Sequence, residues 1–346
     1  MDINTLVTYA AEHNASDIHI SAGVPPKFRI DGDLQDMEGV GPNSAELCEE
    51  LAQYLLGKPM PFMGEADLSF AACGRRLRAN IYRVSGVPSL ALRLLSDNIP
   101  TLESLGLPPA VYEFPKYQRG IVLVTGETGS GKSTTLAAIL KRINETRRDH
   151  IITLEDPIEY VHAPNLSLID QREIGHDTES YADGLRAILR EDPDVILIGE
   201  MRDLVTIETA LTAAETGHLV FATLHTNSAA DSIDRMVDVF PAERQKQIRM
   251  QLSQSLQAVL SQQLLKKLGG GRVAACEVMV VSPAIRNLIR EGKTPQIANA
   301  VATSAELGSI TMDNAIIKLY KEKKISGEAA RAAAHDPDYV RKSTLF

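Results

Sequence analysis

The chain reads as an α/β fold: a mostly parallel sheet with helices, preceded by a small α+β module and followed by a helical tail. Three observations predict it. Short apolar, β-branched runs recur at 120–125, 150–154, 194–198 and 218–224, and stretches of helical spacing separate several of them. A G-x-x-x-x-G-K-[ST] match, Gly126-Glu-Thr-Gly-Ser-Gly-Lys-Ser-Thr134, lies between the first run and a helix. Polar residues that can do chemistry stand just beyond the ends of the later runs, where a doubly wound sheet places its ligand crevice.

The amino-terminal elements are local in character. A helix over 2–12 puts Leu6, Val7, Ala10 and Ala11 on one side, and 17–21 and 27–30 alternate as strands, with a turn expected at Asp31-Gly32. Asn43 or Ser44 caps a helix bearing Leu47, Leu51 and Leu55, stopped at Gly57. A hairpin follows, 75–83 and 89–95, with Leu77, Ala79, Ile81, Leu90, Leu92 and Leu94 on its apolar face. A turn centred on Ser85 and Gly86 sets Arg78 nearly opposite Arg93 on the other face. Like charges facing across a ladder are unfavourable, so an anion is expected between them. Local carboxylates or solvent would serve, and so would a phosphate from elsewhere in an assembly. Four prolines within 96–119 mark an inter-domain linker.

The second half carries the chemistry. Between strand 120–125 and a helix with Leu136, Ile139, Leu140 and Ile143 on one face, the loop Gly126, Glu127, Thr128, Gly129, Ser130, Gly131, Lys132, Ser133, Thr134 can turn successive amides inward. Lys132 would reach the β/γ-phosphates and the Ser133 hydroxyl would ligate Mg²⁺, so the site is that of a nucleotide. Strand 150–154 empties into Glu155-Asp-Pro-Ile-Glu159, an acidic turn that is either plain surface or a source of carboxylates for Mg²⁺ and an attacking water. Strand 194–198 runs into Gly199-Glu200; Asp194 is at the wrong end of it to hold a metal, leaving Glu200 as the acid at the exit. Strand 218–224 ends at His225, whose matching position favours function over a structural role. Beyond it we expect a long helix over 241–265, a strand over 273–281, a helix 284–291 closed by Gly292, and helices over 311–324 and 327–335.

Composition narrows the class. Lys and Arg number 36 against 45 Asp and Glu, a net charge of −9, and aromatics make up 5%, which argues against a nucleic-acid or anionic-lipid surface. With no run of 18 apolar residues and no signal-like start, a cytoplasmic chain is expected. Cys48, Cys73 and Cys276 are scattered and read as buried small apolar residues rather than a zinc or disulfide framework.

At Leu189-Arg-Glu-Asp-Pro-Asp-Val-Ile-Leu-Ile-Gly-Glu-Met-Arg-Asp203 the chain resembles the secretion (GspE-like) ATPase superfamily, whose signature is L-R-x-x-P-D, an apolar strand, then G-E-x-R-D. Boxes 126–134, 151–159 and 216–226 agree. The finer resemblance is to PilT-type type IV pilus retraction ATPases, carried by Ala15-Ser-Asp-Ile-His-Ile20, Gln171-Arg-Glu173, 210–217, 239–242 and Ala284-Ile-Arg-Asn-Leu-Ile-Arg-Glu291. It implies a PAS-like module over 1–98, a linker 99–118, a RecA-like P-loop ATPase core 119–265 and a mostly helical subdomain 266–346. It also implies ATP and Mg²⁺ as ligands and a homohexamer in which the first module packs on a neighbour's core. Glu159 then looks like the general base, Glu200 the Mg²⁺-side acid, His225 the γ-phosphate sensor, and Arg78 and Arg93 arginines reaching the nucleotide. Expected partners are an inner-membrane pilus platform protein, which would hold the ring at the membrane periphery, and a paralogous retraction ATPase. The implied function is retraction and twitching motility; a pilus-assembly or type II secretion ATPase and an accessory retraction paralogue are the alternatives. Glu127 departs from the small residue usual in these relatives and is expected to tune nucleotide affinity.

Overall fold

The computed structural model describes residues 1–30, 33–61, 63–95 and 98–344, so the turn expected at Asp31-Gly32 lies outside the described residues. Contacts divide the chain into two units, Met1–Asn98 with Glu159–Val161, and Ile99–Ile158 with His162–Phe346. Among the described residues no helix is long and apolar enough to cross a membrane.

In the first unit, α1 (Ile3–Glu12) and α2 (Ala45–Leu56) accompany a six-stranded antiparallel sheet of order β3-β2-β1-β6-β5-β4. Its strands are β1 (Asp17–Ile20), β2 (Lys27–Ile30), β3 (Asp33–Asp36), β4 (Ala66–Ala72), β5 (Arg75–Val84) and β6 (Val87–Leu94). Leu6 and Val7 of α1 and Cys48 and Leu51 of α2 share a core with Ile18, Phe28, Ile81 and Leu90. Side-chain caps from Asp2 and Ser44 satisfy otherwise orphaned amides at the two helix starts. Ser85 and Gly86 both take positive φ, 51° and 84°, the two-residue turn whose twist matches flanking strands, and it brings Arg78 into register with Arg93.

In the second unit, a seven-stranded sheet has the order β13-β12-β7-β11-β10-β8-β9. Its strands are β7 (Gly120–Thr125), β8 (His150–Glu155), β9 (Leu168–Glu173), β10 (Val195–Ile198), β11 (Leu219–Leu224), β12 (Leu256–Lys266) and β13 (Arg272–Val280). All neighbours pair parallel except β12 with β13. One face is covered by α4 (Tyr181–Ile188), α5 (Leu204–Glu215), α6 (Ala229–Asp238), α7 (Ala242–Ser255), α8 (Pro283–Glu291) and α9 (Ile297–Thr303). The other is covered by α3 (Lys132–Thr146) and by Leu102, Leu107, Val111 and Phe114. The tail helices α10 (Met312–Lys321), α11 (Gly327–Ala333) and α12 (Pro337–Thr344) pack with Leu265 and Ala275 of the β12–β13 hairpin.

Four expectations are corrected. The helix over 241–265 stops at Ser255, and Leu256, Val259 and Leu260 belong to strand β12. Leu256 and Val259 enter one face's core while Ala258 and Leu260 enter the other, so the run is apolar on both sides and imitates helical spacing. A boundary at 265/266 cannot hold as a structural division, because it separates β12 from β13 within one sheet. Residues 99–118 are not a free linker, since Leu102, Leu107, Val111 and Phe114 are buried in the second unit's core. Cys48 and Cys276 are buried, but Cys73 is exposed.

Candidate nucleotide site

Parallel strands bring the ends of β7, β11, β10 and β8 to one edge of the sheet. Gly126 leaves β7 at φ 138°, and a Cβ there would meet the Gln262 carbonyl oxygen at 2.2 Å and Ser130 Oγ at 2.6 Å. Only glycine fits. Gly131, at φ 94°, precedes the first residue of α3 and offers it no side-chain cap, and that helix start is where an anion is favoured. Lys132 Nζ folds back to donate to the carbonyls of Gly126 (2.7 Å) and Glu127 (3.0 Å), holding the loop in a ring. Glu127, Thr128 and Gly129 form its exposed tip, Ser130 is buried, and Ser133 and Thr134 are half-buried at the helix start.

Acids gather beside this loop. Glu200 follows β10, its carboxylate bound by Arg202, with His225 Nε2 at 3.4 Å from Oε1. Burial would raise the Glu200 carboxyl, but the Arg202 hydrogen bond and the charges of His225 and Arg202 outweigh it and hold it below the ordinary range. Glu155, at the end of β8, accepts from Thr153 Oγ1 (2.6 Å) and Gln171 Nε2 (3.1 Å). Tyr181 stands over these strand ends; burial, then the nearby charges of Asp156, Glu200 and Glu155, push its hydroxyl far above the ordinary range. Gly199 lies close beneath it, since a Cβ would meet the Tyr181 hydroxyl at 2.9 Å and the Leu154 carbonyl at 3.0 Å, so any larger residue would press on both. Met201 N–H donates to the Thr223 carbonyl at 3.1 Å, tying the loop after β10 to β11 next to His225.

The structure thus brings Gly126–Thr134, Glu200 and His225 to one edge of one unit. Glu159 is exposed and groups with the first unit, as do Arg78 and Arg93. Those arginines meet carboxylates of their own sheet: Arg93 Nε donates to Asp17 Oδ1 at 2.8 Å, and Arg78 lies 3.8 Å from Asp67. Burial would raise Asp17, but hydrogen bonds from Ser16 and Arg93 hold it low. Asp194 caps the opposite end of the sheet, accepting from His150 N–H at 2.9 Å. Sequence reasoning gave no role to Tyr181, Arg202 or Gln171, although the last two stand inside the quoted boxes. It also missed the wall that the tail contributes. A cleft of about 350 Å³ beside the loop is lined by Glu127–Ser130, Asn227, the end of β12, Met312 and His335.

Comparison with known proteins shows the family. The family described as type II/IV secretion system protein matches residues 1–270. The chain is 48% identical to the type IV pilus retraction ATPase PilT of Pseudomonas aeruginosa, over 98% of this chain and 99% of that one. It is 37% identical to the type IV pilus ATPase PilU of the same organism, over 99% and 91%. A crystal structure of the pilus retraction motor PilT with bound ADP superposes with a TM-score of 0.90 at 47% identity, covering 99% of each chain. The chain belongs to the type II/IV secretion system protein family, among its PilT-type pilus retraction ATPases.

Proposed function

We propose that the chain is an ATP-hydrolysing motor that powers type IV pilus retraction and twitching motility, working as a homohexamer on an inner-membrane platform protein. The observation that carries this reading is the meeting of the phosphate loop with Glu200 and His225 at one strand edge. The loop amides and Lys132 would bind the phosphates, Lys132 exchanging two carbonyl partners for phosphate oxygens. One hydroxyl (Ser133) and one carboxylate (Glu200) suit magnesium carried in with a nucleotide; among the described residues no group of three or more His, Cys, Asp or Glu forms a separate metal cage. Bound there, the ion would neutralise charge on the phosphates. Glu159 would orient the water, and Arg78 and Arg93 would reach the nucleotide of a neighbouring copy, where an arginine can be worth roughly 10³–10⁵ in rate.

The test has a biochemical and a cellular arm. Purified chain should hydrolyse ATP, and Glu159→Gln should lower turnover by about 10²-fold or more while ATP still binds. A deletion strain should carry excess surface pili and fail to twitch. Non-piliated cells would point to assembly, and full turnover in the Glu159→Gln protein would remove the base from this scheme.

A further inference from the structure

Glu277, on β13, is a charge-bearing side chain with no part in the scheme above, and only 8% of the residue is exposed. A carboxylate withdrawn from water needs hydrogen bonds in place of its hydration. Two amides supply them: Ala229 N–H donates to Oε1 at 2.7 Å and Met312 N–H to Oε2 at 3.4 Å. Burial pushes the Glu277 carboxyl above its ordinary range, with these two bonds opposing the shift. Ala229 and Met312 are the first residues of α6 and α10, so a single carboxylate caps two helices far apart in sequence.

These two helices lead to the two sides of the nucleotide site. Three residues, 226–228, separate His225 from Ala229. That short loop is tight, with Thr226 Oγ1 2.7 Å from Ser232 Oγ and the Ser228 hydroxyl accepting from Asp231 N–H at 3.1 Å. On the other side, Asp313 accepts from the amides of His335 (2.8 Å) and Asp336 (3.0 Å), which fixes the corner of the tail after α11. Met312, His335 and Asn227 all line the cleft beside the phosphate loop.

We infer that Glu277 is a positioning residue for ATP hydrolysis: by holding the first amides of α6 and α10 on one carboxylate, it sets His225 against the phosphate loop and couples that histidine to the tail. This rests on His225 acting at the γ-phosphate. A carboxylate that merely capped two helices would change stability alone; one that positions His225 changes turnover through His225.

The experiment is a double-mutant cycle in the full chain, with ATP turnover as readout. Glu277→Ala should lower kcat on the order of tenfold, with KM for ATP within about twofold, because small misplacements near the chemistry cost rate before they cost binding. Glu277→Gln, which keeps an acceptor oxygen, should recover most of the rate. In a His225→Ala background, Glu277→Ala should add less than a twofold further loss. Ala229→Pro removes one donor at the helix position where proline is best tolerated and should reproduce the kcat loss; it decides the matter if Glu277→Ala proves unfolded. Normal kcat in Ala229→Pro, or a full multiplicative loss in the His225→Ala background, overturns the inference while leaving the histidine in place. Wild-type turnover in His225→Ala alone removes the histidine's role, and the inference with it.

Discussion

At Gly126 a single methyl group decides whether the phosphate loop can close. Its φ of 138° is costly for any side-chain-bearing residue, and a Cβ would sit 2.2 Å from a backbone oxygen of β12, which has nowhere to move. Gly126→Ala should therefore weaken ATP binding by at least about tenfold, equivalent to roughly 1.4 kcal/mol, as read by titration calorimetry; unchanged affinity would mean the loop has another closed form. His162 poses a different residue-scale problem. It is buried, and burial pushes its ring down to about 4. In the unfolded chain it titrates near 6.5, so between those values the unfolded state holds the extra proton, and stability falls as pH drops from about 6.5 towards 4. The contribution is at most on the order of 3 kcal/mol. Denaturant melts across that window should be steeper in pH for wild type than for His162→Gln, and parallel curves would refute the assignment. Loop glycines and Lys132 were legible from sequence because their spacing is dictated by a ligand. Tyr181 was not, because its role arises from where two separate segments bring Glu155 with Asp156, and Glu200, against it.

Among elements, β7, β8, β10 and β11 were readable because each is a short apolar run, whereas the mostly polar β9, Leu-Ile-Asp-Gln-Arg-Glu, was not. The junction of α7 and β12 was not, since a strand buried on both faces has no alternation to betray it. What ends α7 is tertiary. Arg286, from α8, donates to the carbonyls of Ser253 (2.8 Å) and Gln254 (3.0 Å) and to Gln257 Oε1 (3.1 Å) across the turn from helix to strand. Burial lowers its guanidinium from the ordinary value, and these three partners are neutral oxygens rather than a carboxylate. Arg286→Ala should leave those carbonyls short of a donor and cost about 1–3 kcal/mol. In a chain of this size that is a fall of several degrees in Tm. Arg286→Lys, lacking the planar fork, should recover only part of it. This places one residue of the 284–291 box in fold stability. An unaltered melting curve in Arg286→Ala would mean that α7 ends for local reasons.

For the whole molecule, sheet topology explains why function was easier to read than domain boundaries. A parallel order gathers the ends of β7, β11, β10 and β8 on one edge, so boxes scattered from 126 to 225 in sequence become neighbours without any further information. Boundaries depend on packing instead, and 99–118 joins a core that its prolines disguise. The remaining question is what completes the site. Arg78 and Arg93 face each other across β5 and β6, and their carboxylate partners Asp67 and Asp17 lie in the same sheet. The exposed Arg78–Asp67 pair is worth little, so exchanging Asp67 for a phosphate costs little, whereas Asp17 is buried and its bond from Arg93 costs more to give up. If the arginines serve a neighbouring copy, two defective chains should repair each other. A chain carrying Lys132→Ala keeps the arginines and lacks the loop lysine; one carrying Arg78→Ala and Arg93→Ala keeps the lysine and lacks the arginines. Each alone should turn over ATP at least about 10²-fold more slowly than wild type, in keeping with the charge each removes from the phosphates. Mixed and reassembled, they should regain a measurable share of wild-type turnover, because some junctions then pair an intact loop with intact arginines. Recovery absent at every mixing ratio, in assemblies shown to contain both chains, would place the arginines in service of their own chain or of none.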